Sequence, residues 1–462
     1  MKREHKTAAE RLAALIAGMD REPMEERTLQ AARLCLLDTL GVGLYGGTQP
    51  EAEAILRAAA RLGRGEAPVW GREEKLEAGM AAMVCGALCH LRELDDVHYA
   101  ILHTGCVCVP AALTAAALEG ADLGRLLRAL VKGTEAMARI SLGMDYMEHR
   151  ERGWHGTATC GAFGAAAAVG ALLGLDEEQM ADALGTAGSR TGGTWAFSAD
   201  GAMSKRLHPG LAARDGLLAA YLAREGIPGP RYVLEAEDGG FFRLFAPEWD
   251  VERMLAAGEC PEMEHVEFKW FASCKSVHSP ITAALELHSR HPERRPEDVA
   301  GVRVEVNYSA LSMAGHPYTE DSVVSAQISI PHGVALGLLG RSGRAEDYTL
   351  DSLKDPAVRA LADLVRVEES EEFNRVRHEQ HLSGARVTVE WKDGTRDSAV
   401  VTRPKGALGN PLSREDVVEK YSSLAAAALG RERAQELREL VLEGAEETPV
   451  ARLLQLLEPV KR

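Results

Sequence analysis

Val302-Arg303-Val304-Glu305-Val306-Asn307 puts an apolar side chain at every second position, the period of a strand with one buried face. Val387, Val389 and Trp391 repeat the pattern. Asp393-Gly394 follows as a hairpin turn, and residues 398–402 supply the returning strand. Before about residue 265 the texture differs. Leu12, Leu15, Ile16 and Met19 recur at i, i+3, i+4 and i+7, the stripe of an amphipathic helix. Residues 25–44, ending in Gly46-Gly47, and residues 110–118, 123–142 and 209–224 read as further helices. The last has Pro209 in its first turn and Gly226 just past its end, and Ile227-Pro228-Gly229-Pro230 forbids continuation. The stretch from Pro404-Lys405-Gly406 to Asn410-Pro411 is a loop. Ser413, with Asp416 three residues on, then starts a capped helix, and helical texture runs to the C-terminus. The sequence therefore predicts a mainly α protein with an α+β part. Residues 1–267 and 406–462 form an all-helical domain from both chain ends, and 268–405 form a smaller α/β domain inserted between them.

Composition narrows the function. The 462 residues are enough to bury a core without disulfide or metal staples. A net charge of −16 argues against a nucleic-acid binder, which needs excess Lys and Arg to displace counterions. Residues 1–19 are charged and lack the apolar stretch of a signal peptide. The longest apolar run, 160–175, is rich in Ala and Gly and short for a membrane span, so it reads as a buried core helix, with no membrane partner. Cys35, Cys85, Cys89, Cys106, Cys108, Cys160, Cys260 and Cys274 form no C-x-x-C pair. They read as free thiols of a cytoplasmic protein, and their scatter does not suit an iron–sulfur cluster.

Several chemistries lack their apparatus: there is no G-x-G-x-x-G after a strand, no P-loop and no G-x-S-x-G elbow. His378-Glu379-Gln380-His381 spaces its histidines three apart rather than four and reads as a solvated loop, not a zinc-protease motif. Four stretches are richer. Glu93-Leu94-Asp95-Asp96-Val97-His98, with His103, gathers acids and histidines before an apolar helix; taken alone, a helix cap with solvated charges accounts for it better. His155 sits at the start of a Gly/Ala-rich helix, where the dipole lowers a histidine pKa and attracts anions, though a plain capping or core histidine accounts for it equally. Lys205-Arg206-Leu207-His208 places cations at a helix N-terminus, which suits an anion as well as it suits a solvated turn. Lys275 and His278 share one helical face near the domain junction. Together these groups suit proton transfer on a small anionic substrate, without a cofactor or a metal.

The sequence resembles the MmgE/PrpD family over nearly its whole length. The resemblance rests on Leu37-Asp38-Thr39-Leu40-Gly41-Val42, on Leu94-Asp95-Asp96 with His103, and on Gly153-Trp154-His155. It continues through Asp200-Gly201 with Lys205, Gly210-Leu211-Ala212-Ala213, Cys274-Lys275 with His278, and Asn410-Pro411-Leu412-Ser413. It implies a large helical domain with an inserted lid, a homodimer, an active site between domain and lid, and cofactor-free chemistry. By motif position it implies catalytic roles for His103, His155, Lys205 and His278, with Asp95 and Asp96 as the acidic motif. Glu93, Asp95, Asp96, Arg206, Lys275 and His332 are the expected substrate-binding residues.

Three positions depart from the family pattern. Glu93 stands for the usual Asp, Val97 for Thr, and His332 for the Tyr of a Ser-x-x-Tyr stretch. At mildly acid pH, His332 would offer a cation where a tyrosine stays neutral. The departures are expected to move specificity away from 2-methylcitrate and cis-aconitate. The expected reaction is cofactor-independent dehydratase-type proton abstraction next to a carboxylate of a small di- or tricarboxylate. Lys205, assisted by Arg206 or Lys275, would hold the developing charge. Epimerisation of the iminodisuccinate type and cis-aconitate-type decarboxylation use the same groups. A non-catalytic carboxylate-binding protein would need the cations but not three histidines.

Overall fold

The computed structural model describes residues 5–199, 201–256 and 258–459. Asp200, part of the family resemblance, lies outside them. Among the described residues, helices from both chain ends build one layered body, and a four-stranded sheet with its helices lies against it.

The apolar run at 160–175 becomes the helix Gly156–Leu173, buried among Gly105–Leu118, Leu123–Leu142 and Ser204–Arg224. Small residues bring the axes close. A Cβ on Gly164 would sit 2.8 Å from the Met137 Cβ, and one on Gly133 would sit 2.7 Å from the Ala168 Cβ. Gly86 and Gly210 do the same where Ala78–His90 crosses Ser204–Arg224: a Cβ on Gly210 would meet the Met83 carbonyl, and one on Gly86 would lie 2.7 Å from the Gly210 Cα. This crossing matters for function. It places His90 and the turn after it beside Lys205 and Arg206.

The C-terminal helices Arg414–Leu429 and Arg431–Glu443 pack on Glu26–Gly47. Asp38 is fully buried and paired with Lys420 at 2.7 Å. A Cβ on Gly41 would meet the Tyr421 ring at 3.0 Å. The Leu37-to-Val42 motif is thus where the two ends of the chain join. Ser413 and Asp416 form the expected capping box.

The sheet order is Val365–Glu369, Val299–Val306, Ala385–Trp391, Arg396–Val401; the first pair is parallel and the others antiparallel. Val302, Val304 and Val306 face inward and Arg303 outward, as the alternation dictates. The helix Lys275–Arg290 packs on the last two strands and against Ile330–Leu338.

Four expectations need correcting. The helix expected to start at Pro209 starts at Ser204, and the one expected at Pro110 starts at Gly105. Both prolines lie inside their helices, at the sixth position, as Pro280 does in Lys275–Arg290. A proline there has no N–H for the carbonyl four residues back, but the first turns are already formed. The first part of the chain also holds short strands: Arg64–Pro68 pairs with Lys75–Leu76, and Val97–His98 pairs with Val266–Glu267. Lastly, His378-to-His381 is the end of the helix Glu371–Gln380, with His381 in a left-handed conformation, rather than a loop.

Candidate active site

Between the helical body and the sheet unit lies a cavity lined by Glu93, His103, Lys205 and Lys269 from the body side and the chain leading out of it, and by Lys275 and Arg377 from beyond the junction. The two-residue ladder Val97↔Glu267 and His98↔Val266 sets its geometry, because it lays the acidic stretch against the chain that carries Lys269.

Glu93 is the hub. Its carboxylate accepts from Lys205, from Arg206 and, at 2.9 Å, from Lys269. Burial works against the charge, but these three cations hold the carboxyl well below the usual range. Lys205 is lowered by burial and raised again by Glu93, while Lys269 is held above its ordinary value by Glu93 and Asp95. Arg206 is fully buried behind the wall. It donates to the His90 carbonyl at 3.2 Å and to Gln327 Oε1 at 3.1 Å, and Gln327 in turn donates to the carbonyls of Arg92 and Ala272. Arg206 therefore supports the cavity without lining it.

The backbone carries strain here. Glu93 and Ile101, both lining the cavity, have φ of 52° and 58°. A left-handed residue with a Cβ costs about 1–2 kcal/mol, and such strain collects at functional sites.

His103 is the best-placed proton carrier. Its Nδ1 lies 2.6 Å from the Asp96 carbonyl and 3.2 Å from Asp95 Oδ2. Both neighbours are acceptors, so Nδ1 carries the hydrogen, and Nε2, free of partners among the described residues, belongs to a ring that lines the cavity. Asp95 also accepts from His90 Nδ1 at 2.7 Å and lies 3.7 Å from Lys269. Burial opposes its charge, but His90, His103 and Lys269 hold it well below the carboxylate range. His90 is itself pushed down to about 3 by burial, against the pull of Asp95. Asp96 plays another part: its carboxylate accepts from the Thr104 and Gly105 N–H groups and the Thr104 hydroxyl, at 2.8 to 3.0 Å. It caps the helix Gly105–Leu118 and lies outside the cavity lining.

The other expected residues separate. His155 precedes Gly156–Leu173 as expected, with its Nδ1 3.0 Å from that of His208. Burial and then Lys205 hold it well below its ordinary pKa, and His208 falls to about 4 for the same reasons. His155 stands behind His103, with ring centroids 6.3 Å apart. Lys275 lines the cavity, paired with Glu267 at 2.8 Å. His278 does not line it. It is buried against the Phe271 ring, Nε2 reaches the Ser273 carbonyl at 3.3 Å, and Nδ1 has no partner among the described residues. His332 is also away from the cavity, wedged between the rings of Tyr318 and Tyr348, and neither nitrogen has a hydrogen-bond partner among the described residues. The expectation of a cation there is corrected, because burial pushes His332 down to about 3. Of the three departures, only Glu93 and Val97 line the cavity.

Sequence reasoning missed Lys269, His90, Arg150, Trp195 and Arg377. Lys269 left a signal: a lone lysine inside Phe268-Lys269-Trp270-Phe271 is a charge in an apolar run, which a fold buries only when it is paired. A metal ion could be held by His90, His103 and His155, whose ring nitrogens lie within 4.8 Å of one another, or by the overlapping set His90, Asp95 and Cys106. Burial pushes the Cys106 thiol well up, against the thiolate a metal prefers.

Residues 10–254 match the MmgE/PrpD N-terminal domain and residues 271–444 the MmgE/PrpD C-terminal domain. The chain is 31% identical over 456 residues to a cis-aconitate decarboxylase of Aspergillus terreus, covering 94% of this chain and 92% of the relative. It is 27% identical to a cis-aconitate decarboxylase of Mus musculus, covering 94% and 89%. A 2-methylcitrate dehydratase of Salmonella typhimurium is 23% identical, with 95% of each chain covered.

Proposed function

The chain belongs to the MmgE/PrpD family, and from that we propose that it is a cofactor-independent lyase that removes a small neutral group from a di- or tricarboxylate. The observation that carries this reading is His103: a ring with one free nitrogen, lining a cavity beside Lys205 and Lys269, with its other nitrogen fixed by Asp95 and the Asp96 carbonyl.

Loss of carbon dioxide is the first reading. The C–C bond to one carboxylate breaks and its electron pair passes to the carbon, delocalised toward a conjugated second carboxylate. Lys205 and Lys269 stabilise that charge. His103 Nε2 delivers a proton to the carbon, and solvent returns a proton to His103. Asp95 keeps the ring in one tautomer and one orientation, as a buried carboxylate does behind a catalytic imidazole. The apolar side chains of Val97 and Ile101 in the same wall lower the local polarity, which favours converting a localised carboxylate into neutral carbon dioxide and a dispersed anion. The decarboxylase relatives, at higher identity than the dehydratases, support this order. Dehydration uses the same proton transfer in reverse: His103 Nε2 takes a proton from carbon, the C–O bond at the next carbon breaks as the double bond forms, and the hydroxyl leaves as water with a proton from solvent; the dehydratase relatives support it.

Incubating the enzyme in deuterated water with a panel of di- and tricarboxylates, followed by NMR, tests the reading. One deuterium at the carbon that lost its carboxylate is the expected result. Elimination of water would select the second reading, and no change in any member of the panel would refute both. The homodimer and the cytoplasmic location remain part of the proposal.

A further inference from the structure

Five cations and two carboxylates line the cavity. Glu93 holds Lys205 and Lys269, and Glu267 holds Lys275. Arg150 and Arg377 are left. Arg150 stacks on Trp195, its guanidinium carbon 3.5 Å from the ring centroid, and among the described residues nothing accepts a hydrogen bond from its side chain; its Nε is buried and unpartnered. Arg377 donates to the His381 carbonyl at 2.9 Å and to Met147 Sδ at 3.2 Å, with no carboxylate at ion-pair distance among the described residues. A guanidinium has five N–H donors and is costly to shield from water without an anion.

The two groups come from opposite sides of the cleft. Arg150 is on Tyr146–Glu151 of the helical body and Arg377 on Glu371–Gln380 of the sheet unit. The contact of Arg377 with Met147, and a 2.9 Å hydrogen bond between Tyr146 and His381, bring these two helices together at the cavity. We infer that Arg150 and Arg377 form a two-armed clamp for the non-reacting carboxylates of a tricarboxylate, while the reacting end lies by His103, Lys205 and Lys269. Each fork matches a carboxylate in plane. The inference rests on the carboxylate reading above and narrows it to substrates with three carboxylates.

Calorimetric titration with tricarballylate, an unreactive tricarboxylate, and with glutarate, a dicarboxylate of the same five-carbon backbone, tests the clamp without any turnover. The wild-type protein is expected to bind tricarballylate at least tenfold more tightly than glutarate. Arg150→Gln and Arg377→Gln should each weaken tricarballylate by ten- to a hundredfold and erase most of the preference, with Arg377→Lys intermediate. Among the described residues Arg150→Gln removes no side-chain hydrogen bond of the fold, so it serves if Arg377→Gln unfolds. No tricarballylate binding, equal affinity for both probes, or variants that bind as the wild type does would overturn the clamp. If the variants lose affinity while no carboxylate in the panel is turned over, the clamp stands and the lyase reading falls. If turnover is seen and the variants bind normally, the lyase reading stands and the clamp falls.

Discussion

Asp95 Oδ2 lies 3.2 Å from Nδ1 of His103, on the side of the ring away from the free nitrogen. The pair joins the acidic stretch to the proton carrier, and both are buried or nearly so. Asp95→Asn keeps the shape but can turn an amide N–H toward Nδ1 and favour the wrong tautomer. Turnover is expected to fall by about two to four orders of magnitude with little change in KM. Steady-state kinetics on the turned-over substrate check this, and a loss below tenfold would leave Asp95 a purely structural residue.

Lys205 is fixed by Glu93 yet lines the cavity. Lys205→Ala should keep the fold, because Arg206 and Lys269 still neutralise Glu93, and should lower turnover by about a hundredfold or more, as loss of one charge-stabilising donor does. A value within a few-fold of wild type would remove Lys205 from the mechanism.

How much of this was legible in the sequence depends on how local each cause is. Leu123–Leu142 could be read off because its apolar stripe and the Gly143 after it are local. Val299–Val306 followed from its alternation, and Ser413 from its cap. The start at Ser204 was missed because Pro209 usually marks a first turn, whereas here a turn already carries Lys205 and Arg206 onto Glu93 before it. His103 and Lys205 were visible as motif residues. Lys269 and Arg377 were not, since their significance comes from partners far along the chain: Lys269 meets Glu93 across 176 residues. His332 looked like a site residue because sequence shows what stands in a motif, not which way it faces.

His332 gives a test of pH-dependent stability. Its folded pKa of about 3 lies below the unfolded value near 6.5. The unfolded chain therefore takes up a proton that the folded chain refuses. Stability from this residue is fully present above about pH 6.5 and is lost as pH falls toward 3. His332→Phe removes two unpaired buried nitrogens. It should raise stability by about 1 kcal/mol at pH 7 and flatten the decline between pH 6 and 4 by about one proton. Denaturant unfolding across that range measures it; an unchanged slope would show that His332 is hydrated.

Asp38 and Lys420 tie the chain ends together, and burial raises Asp38 to about 6 against the pull of Lys420. Asp38→Asn leaves Lys420 buried without its carboxylate and is expected to cost about 3–5 kcal/mol at neutral pH. Replacing both with Leu and Met should cost much less. A double-mutant cycle by urea unfolding decides it; additive losses would show that the pair is not coupled.

On the proposed function, His103 delivers the proton to carbon in a reaction that needs no metal. The most direct measurement is deuterium at the reacting carbon of the product, by NMR in deuterated water, for wild-type and His103→Gln enzyme after chelator treatment. One deuterium per product molecule is expected from the wild type, with turnover intact after chelation, and a loss of at least about a hundredfold in His103→Gln, the lower end of what one acid–base group supplies. Wild-type activity abolished by the chelator and restored by a metal ion, or a His103→Gln enzyme that still labels the product at the wild-type rate, would contradict it.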